Sequence, residues 1–265
     1  MWVISPKELI KIEDAIKKGK SKVVVALNLG LNIKEISTKG ILVPKKIKDN
    51  VCYLFNTKIR PIIFYSSKTK KVYKLVPTKD WPTITISSTQ MHRTKNTSPK
   101  LDSLSKIKAV KPKGIILDTC TGLGYTAILC SKYADLVYTF EKDINVLRIA
   151  KLNPYSAALF QKKNIKLINK DISKEIKKFK DRFFNRIIHD PPTFKYAPEL
   201  YTESFYKELV RVLKYRGILY HYCPRPHVTK ERRPFYSKIK EKLKKLGLEV
   251  RFVSHSQGLI CKKFF

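Results

Sequence analysis

Four carboxylates stand at the ends of four apolar runs. Asp118 closes GIILD (114–118), Glu141 follows LVYTF (136–140), Asp171 follows IKLIN (165–169) and Asp190 closes RIIHD (186–190). Acidic residues are scarce, 21 in 265, so their repeated placement at run ends is not what random scatter gives. Taken singly, each could be a helix N-cap or a solvated edge. As a set they describe a site, because strands of an open parallel sheet bring their carboxyl ends to one crevice. Between the first two carboxylates, Gly122 and Gly124 sit where a strand turns into a helix. Glycines there let the backbone approach a ligand closely, and an acid at the end of the next strand can take a ribose diol. Asp190 is followed by Pro191 and Pro192. Two prolines cannot donate to a β ladder, so pairing stops there and leaves one carboxylate on a stiff backbone. Such stiffness is either a strand stop or a way of holding polar groups still.

The elements that position these groups can be read from texture. After Lys113, apolar strands (the four runs above, then GILYHY, 217–222) alternate with helical patterns such as Tyr201, Phe205, Leu209 and Val212. That alternation predicts a parallel sheet built from right-handed crossovers. A helix (about 234–246) and two further strand candidates, LEVRFVS and GLICKKF, follow. Before this region the texture differs. Residues 5–18 predict a helix with Ser5 as N-cap, Pro6 at its first position, and Leu9, Ile12 and Ile16 on one face. KVVVALNL, GILVP, VCYLF, RPIIFYS and KVYKLVP, between about 22 and 88, predict short strands with hairpin-like spacing. Residues 99–108, PKLDSLSKIK, predict a short amphipathic helix. The expected organisation is a β-rich region at 1–98 and an α/β catalytic domain at 99–265.

A dehydrogenase fingerprint would carry a third glycine where Ala127 stands, and D-P-P has no role in hydride transfer. The ordered series DTCTGLGYT, FEKD, KDI and HDPP instead resembles motifs I to IV of class I S-adenosylmethionine-dependent methyltransferases. With MHRTK (91–95), EKDINVLRIAKLNP, ELYTESFYKELVRVLK and HYCPRP, the chain resembles a family of archaeal methyltransferases associated with N4-cytosine methylation of small-subunit ribosomal RNA. The resemblance covers residues 80–265 well and residues 1–80 more loosely. It implies a Rossmann-like sheet of seven strands, the last antiparallel, with S-adenosylmethionine as cofactor. By the same resemblance Asp118, Thr119, Gly122 and Gly124 would cradle the methionine part. Glu141, with Lys142 beside it, would bind the ribose, and Asp171 with Ile172 the adenine. Asp190, Pro191 and Pro192 would match the signature of enzymes that methylate exocyclic base amines, with Asp190 also bordering the cofactor. The chain departs from that signature at its fourth place, where Thr193 stands for the usual aromatic and Phe194 comes next. Either Phe194 stacks on the base or something else holds it.

The formal net charge of +35 is spread along the chain. It favours a polyanionic partner, RNA above all, although a thermophile's charged surface shows the same excess. His92 and Arg93 could contact a phosphate or the cofactor carboxylate, or belong to a solvated link. TKERRPF (229–235) could serve RNA phosphates or simply be solvated. Tyr125 is expected to wall the cleft, and Cys120 and Cys130 to pack a helix on the sheet. Five cysteines with no CxxC pair give no metal-ligand spacing and no disulfide framework. With no signal-peptide core and no membrane-length apolar run, the expectation is a cytoplasmic enzyme without metal or membrane partner. Other expectations stay open. The same D-P-P logic serves a guanine-N2 or adenine-N6 RNA methyltransferase, an aminopropyltransferase of branched polyamine synthesis shares the sheet, and a non-catalytic RNA-binding protein could keep the fold without needing the four carboxylates.

Overall fold

The computed structural model describes residues 2–56, 58–223 and 235–264. Residues 229–234 of TKERRPF and residues 224–226 of HYCPRP lie outside that range. Contacts divide the chain into two units, Met1–Lys100 with Asn145–Ala157, and Leu101–Ile144 with Ala158–Phe265.

The first unit is β-rich. Its helix, Pro6–Lys17, starts at Ser5, whose side chain accepts from the Glu8 amide, with Pro6 in the first turn. Leu9 and Ile12 are buried as the periodicity requires, but Ala15 takes the next inward place and Ile16 faces out. The helix packs with the hairpin Lys22–Leu27/Asn32–Ser37 and the strands Trp2–Ile4 and Tyr53–Phe55 around Ile4, Leu9, Ile12, Val25 and Tyr53. A four-stranded antiparallel meander follows: Ile63–Ser66, Lys71–Val76, Thr83–Ile86 and Thr89–Gln90. GILVP forms no strand; it contributes an isolated bridge from Leu42 to Lys58.

The second unit is a seven-stranded sheet: β1 Ile115–Asp118, β2 Leu136–Phe140, β3 Ile165–Ile168, β4 Phe184–His189, β5 Leu213–Tyr222, β6 Leu248–Val253 and β7 Gly258–Lys263. The strand order is β3-β2-β1-β4-β5-β7-β6, and β7 runs antiparallel to both its neighbours while the other pairs are parallel. This is a Rossmann-like sheet of seven strands with the last antiparallel, as the resemblance implied. Chain progression reverses between β1 and β4, and that switch point is where an open α/β sheet opens its ligand crevice. Asp118 pairs with Ile188 across the β1–β4 ladder, so Asp190 leaves β4 just beyond the place where Asp118 leaves β1.

Three helices of this unit matter for the site. α1, Pro99–Val110, precedes β1; α2, Tyr125–Cys130, follows the glycine turn; α3, Glu203–Val212, precedes β5. α3 buries Phe205, Tyr206, Leu209 and Val212 against the sheet core, and Thr202 caps it. Tyr201 falls outside the helix expected for it, in a 3-10 turn, Pro198–Tyr201. α1 is not the amphipathic helix the sequence suggested. Asp102, Ser103 and Lys106 are buried, while Leu101 and Leu104 are 57% and 40% exposed.

Candidate active site

The loop after β1 is tied down at both ends. The Thr119 amide donates to the Ile188 carbonyl (3.0 Å) and the Thr121 amide to the Phe140 carbonyl (2.8 Å), which extends both ladders past the strand ends. Gly122 and Gly124 take positive φ, 54° and 81°, where a side chain would be strained. A Cβ on Gly124 would also meet Leu159 at 2.7 Å, so this glycine lets α2 pack closely. A Cβ on Gly122 would meet nothing within 4 Å, which makes this backbone the open part of the turn.

Asp118 is wholly buried at the base of that turn. Its Oδ2 accepts from Thr139 (2.8 Å) and Thr126 (3.2 Å), whereas Oδ1 has no hydrogen-bond partner among the described residues. Burial pushes its carboxyl up to about 7 against the pull of those hydroxyls. Glu141, past the end of β2, accepts from the Gly122 amide (3.1 Å) and the Asp143 amide (3.0 Å), and burial pushes it too up to about 7. Lys142 is paired with Glu199, with Nζ 2.5 Å from Oε1. Asp171 caps the short helix Ile172–Glu175 through the Ser173 amide (2.9 Å), and Ile172 is buried in the sheet core.

β4 delivers the D-P-P turn. His189 and His221, side by side on β4 and β5, are buried with ring centroids 4.5 Å apart. Carbonyls only accept, so His189 Nε2 donates to Leu200 (3.1 Å) and its Nδ1 accepts from the Thr119 hydroxyl (2.9 Å). By the same logic His221 Nδ1 donates to Tyr222 (2.7 Å) and Nε2 accepts from Tyr206 (3.0 Å). Burial lowers both rings, His221 to about 4, and His189 is lowered further by its neighbour. The pair is therefore a neutral strut that joins the Thr119 loop to the root of the turn. Tyr201 donates from its hydroxyl to the Pro192 carbonyl (2.8 Å) and lies against Phe194, centroids 5.7 Å apart, with that ring 54% exposed. Thr193 is exposed.

The Asp190 carboxylate has a partner that sequence reasoning missed. Lys106 of α1 donates to Asp190 Oδ2 (2.6 Å) and to Asp102 Oδ2 (2.7 Å), and its ammonium sits 4.9 Å from the Tyr222 ring centroid. Burial by itself would lower the ammonium, but Asp190 and Asp102 outweigh it and hold it above its ordinary value. The available signal was the i,i+4 spacing of Asp102 and Lys106, which reads as an ordinary surface pair.

The second unit thus gathers Asp118, Thr119, Gly122, Gly124, Glu141, Asp171 and the Asp190–Pro191–Pro192 turn along one edge of its sheet. His92 and Arg93 belong to the first unit, where His92 Nδ1 lies 2.9 Å from the Thr83 hydroxyl. Tyr125 is buried, as is Cys130, and Cys120 packs partly against the core. Among the described residues no cluster of three or more His, Cys, Asp or Glu side chains could hold a metal ion, and no helix is long and apolar enough to cross a membrane.

The site has features that fit S-adenosylmethionine. An orphaned buried carboxylate oxygen on Asp118 suits a cationic group, and the open backbone of Gly122 leaves room beside it. Glu141 presents a carboxylate one strand away, at the distance along the chain that suits a ribose.

Comparison with known proteins places this architecture. No family profile matches the chain. The uncharacterized protein MJ1233 of Methanocaldococcus jannaschii is 43% identical over 222 residues, 83% of this chain and 76% of the relative. Among solved structures, a spermidine synthase in complex with the transition-state analogue AdoDATO is similar at a TM-score of 0.56 and 14% identity, over 88% of this chain and 75% of that one. Spermidine synthase from Thermotoga maritima is similar at 0.53 and 16%, over 75% and 70%. MnmC2 from Aquifex aeolicus is similar at 0.53 and 18%, over 72% and 70%. At such identities these likenesses are of fold.

Proposed function

The chain belongs to the family of MJ1233, and we propose that it is an S-adenosylmethionine-dependent RNA methyltransferase acting on an exocyclic base amine, with N4 of a cytidine in small-subunit ribosomal RNA as its substrate. The observation that carries this reading is the Asp190–Pro191–Pro192 turn at the switch point of the sheet, with its carboxylate gripped by Lys106 and its Pro192 carbonyl gripped by Tyr201.

S-adenosylmethionine, when bound, would supply an electrophilic methyl with a thioether leaving group, and the proton that the amine gives up would pass to the Asp190 carboxylate. The protein's task is to make a poor nucleophile usable. An exocyclic amine is planar because its lone pair is delocalised into the base. Asp190 would accept one N–H, and the Pro191 carbonyl, which Tyr201 does not occupy, the other. Two fixed acceptors favour a tetrahedral nitrogen whose lone pair points at the methyl, and fixing them in advance is where such a site gains rate. Phe194, exposed beside Tyr201, would stack on the base in place of the aromatic missing at Thr193. Asp118 and the Thr119–Gly124 turn would hold the methionine part, Glu141 with Lys142 the ribose, Asp171 and Ile172 the adenine.

RNA as the partner is supported by the net charge of +35. The β-rich region (residues 1–98), with His92 and Arg93, would grip RNA phosphates while residues 99–265 carry the chemistry, and the enzyme would work in the cytoplasm. The experiment is transfer of labelled methyl from S-adenosylmethionine to small-subunit rRNA, with nucleosides resolved by mass. Label in N4-methylcytidine is expected. Label in N2-methylguanosine or N6-methyladenosine would overturn the base. Unlabelled RNA, together with aminopropyl transfer from decarboxylated cofactor to spermidine, would overturn the reaction.

A further inference from the structure

We propose that Lys106, steadied by Asp102, is a positioning residue that keeps the Asp190 carboxylate ionised and fixed in orientation as an acceptor for the substrate amine. The inference rests on the reading of Asp190 given above and adds to it a residue from outside the methyltransferase motifs.

Exposure separates the three partners. Lys106 and Asp102 have 6% and 2% of their side chains exposed, Asp190 23%. Asp190 therefore meets solvent and substrate, whereas Lys106 can act only through it. Folding stability does not account for the cluster. Burying charges costs more than their attraction commonly returns, and apolar residues of similar volume would seat α1 as well or better. Although Ile107 and Val110 of α1 are buried, the helix also turns Asp102, Ser103 and Lys106 inward and leaves Leu101 and Leu104 outside.

The surroundings explain why Asp190 needs a cation. Facing it are Asp118 at the end of β1, Cys120 on the glycine turn, Tyr201 on the 3-10 turn, Tyr220 on β5, and Asp102 and Lys106 on α1. Asp118 and Asp102, when charged, oppose a third negative charge; Lys106 offsets them. The chemistry makes the charge state matter. A protonated Asp190 would present an O–H to the amine and compete for its lone pair. The ionised form accepts an N–H and leaves the lone pair free to attack.

The test compares wild type with Lys106→Met and Lys106→Arg, first by carboxyl carbon NMR titration of Asp190 in cofactor-free protein, then by the pH dependence of kcat. In Lys106→Met the Asp190 midpoint should rise by more than about one pH unit. The acid limb of kcat should move up by the same shift, with an unchanged KM for RNA and little change at the alkaline end. Lys106→Arg should restore both. An unmoved midpoint, or a loss independent of pH, would make Lys106 merely structural and overturn the proposal. Should Lys106→Met fail to fold, Asp102→Asn serves. It removes one of two anions competing for Lys106, so the Asp190 midpoint should fall, and no change would again overturn the proposal. The two readings fail separately, because the titration needs no substrate. A shifted midpoint in a protein that methylates nothing would sink the enzymatic reading alone.

Discussion

Helices α1 and α3 are both packed against the same sheet unit, yet they differ in whether charge is buried. α3 buries Phe205, Tyr206, Leu209 and Val212 and turns its charges outward, with Glu203 and Lys207 paired on the surface. α1 buries Asp102, Ser103 and Lys106 alongside Ile107 and Val110, and turns Leu101 and Leu104 outward. The first pattern is what area burial rewards, since apolar surface removed from water stabilises at about 25 cal/mol per Å². The second runs against it. A helix that buries an ammonium between two carboxylates is organised around what the cluster holds, and here it holds Asp190. The difference teaches where to look for function: in the element whose burial pattern stability does not explain.

That contrast can be broken by substitution. Leu209→Ala in α3 leaves a cavity in the main core and should cost about 2–5 kcal/mol, read as a lower denaturant midpoint with an unchanged slope. Replacing the whole cluster, Asp102 by Leu, Lys106 by Met and Asp190 by Leu, should cost nothing or gain about 1–4 kcal/mol, while methyl transfer is lost. A cluster variant as unstable as Leu209→Ala would show that the ions hold the fold together, and the contrast would collapse.

A smaller effect is expected from pH. Asp118 and Glu141 both sit at about 7, raised by burial above their unfolded values. Between about pH 4 and 7 the native protein therefore binds more protons than the unfolded chain, so cofactor-free stability is greatest at the acid end and falls as pH rises through 7. A cationic ligand group against Asp118 favours the ionised form. Affinity for S-adenosylmethionine should accordingly rise about tenfold between pH 6 and 8 by calorimetry, and Asp118→Asn should bind weakly with no such slope. A flat profile in the wild type would remove Asp118 from contact with the cation.

Much of the second unit was legible in sequence, because β1 to β4 are apolar-rich runs each followed within a few residues by an acid, and buried parallel strands read as such runs. Asp118, Glu141, Asp171 and Asp190 were found by that rule. Lys106 was not, and the reason is compositional. In a chain with 56 Lys and Arg, an i,i+4 Asp–Lys pair looks like Glu203–Lys207 or Glu13–Lys17, which are surface pairs of the same spacing. What distinguishes Lys106 is a partner 84 residues away, and no local pattern carries that. Tyr201 was hidden differently: its period matched the face of α3, yet Pro198 starts a separate turn that swings its hydroxyl to Pro192. The strand Asn32–Ser37 escaped notice because it is nearly all exposed and so has no apolar alternation to read.

The most direct test of the D-P-P turn as the reacting centre is Asp190→Ala, measured side by side for S-adenosylmethionine affinity and for methyl transfer to small-subunit rRNA. The account expects affinity to change by no more than a few-fold and turnover to fall by about a thousandfold or more. Turnover that survives the substitution would contradict it, and would place the chemistry somewhere other than at Asp190.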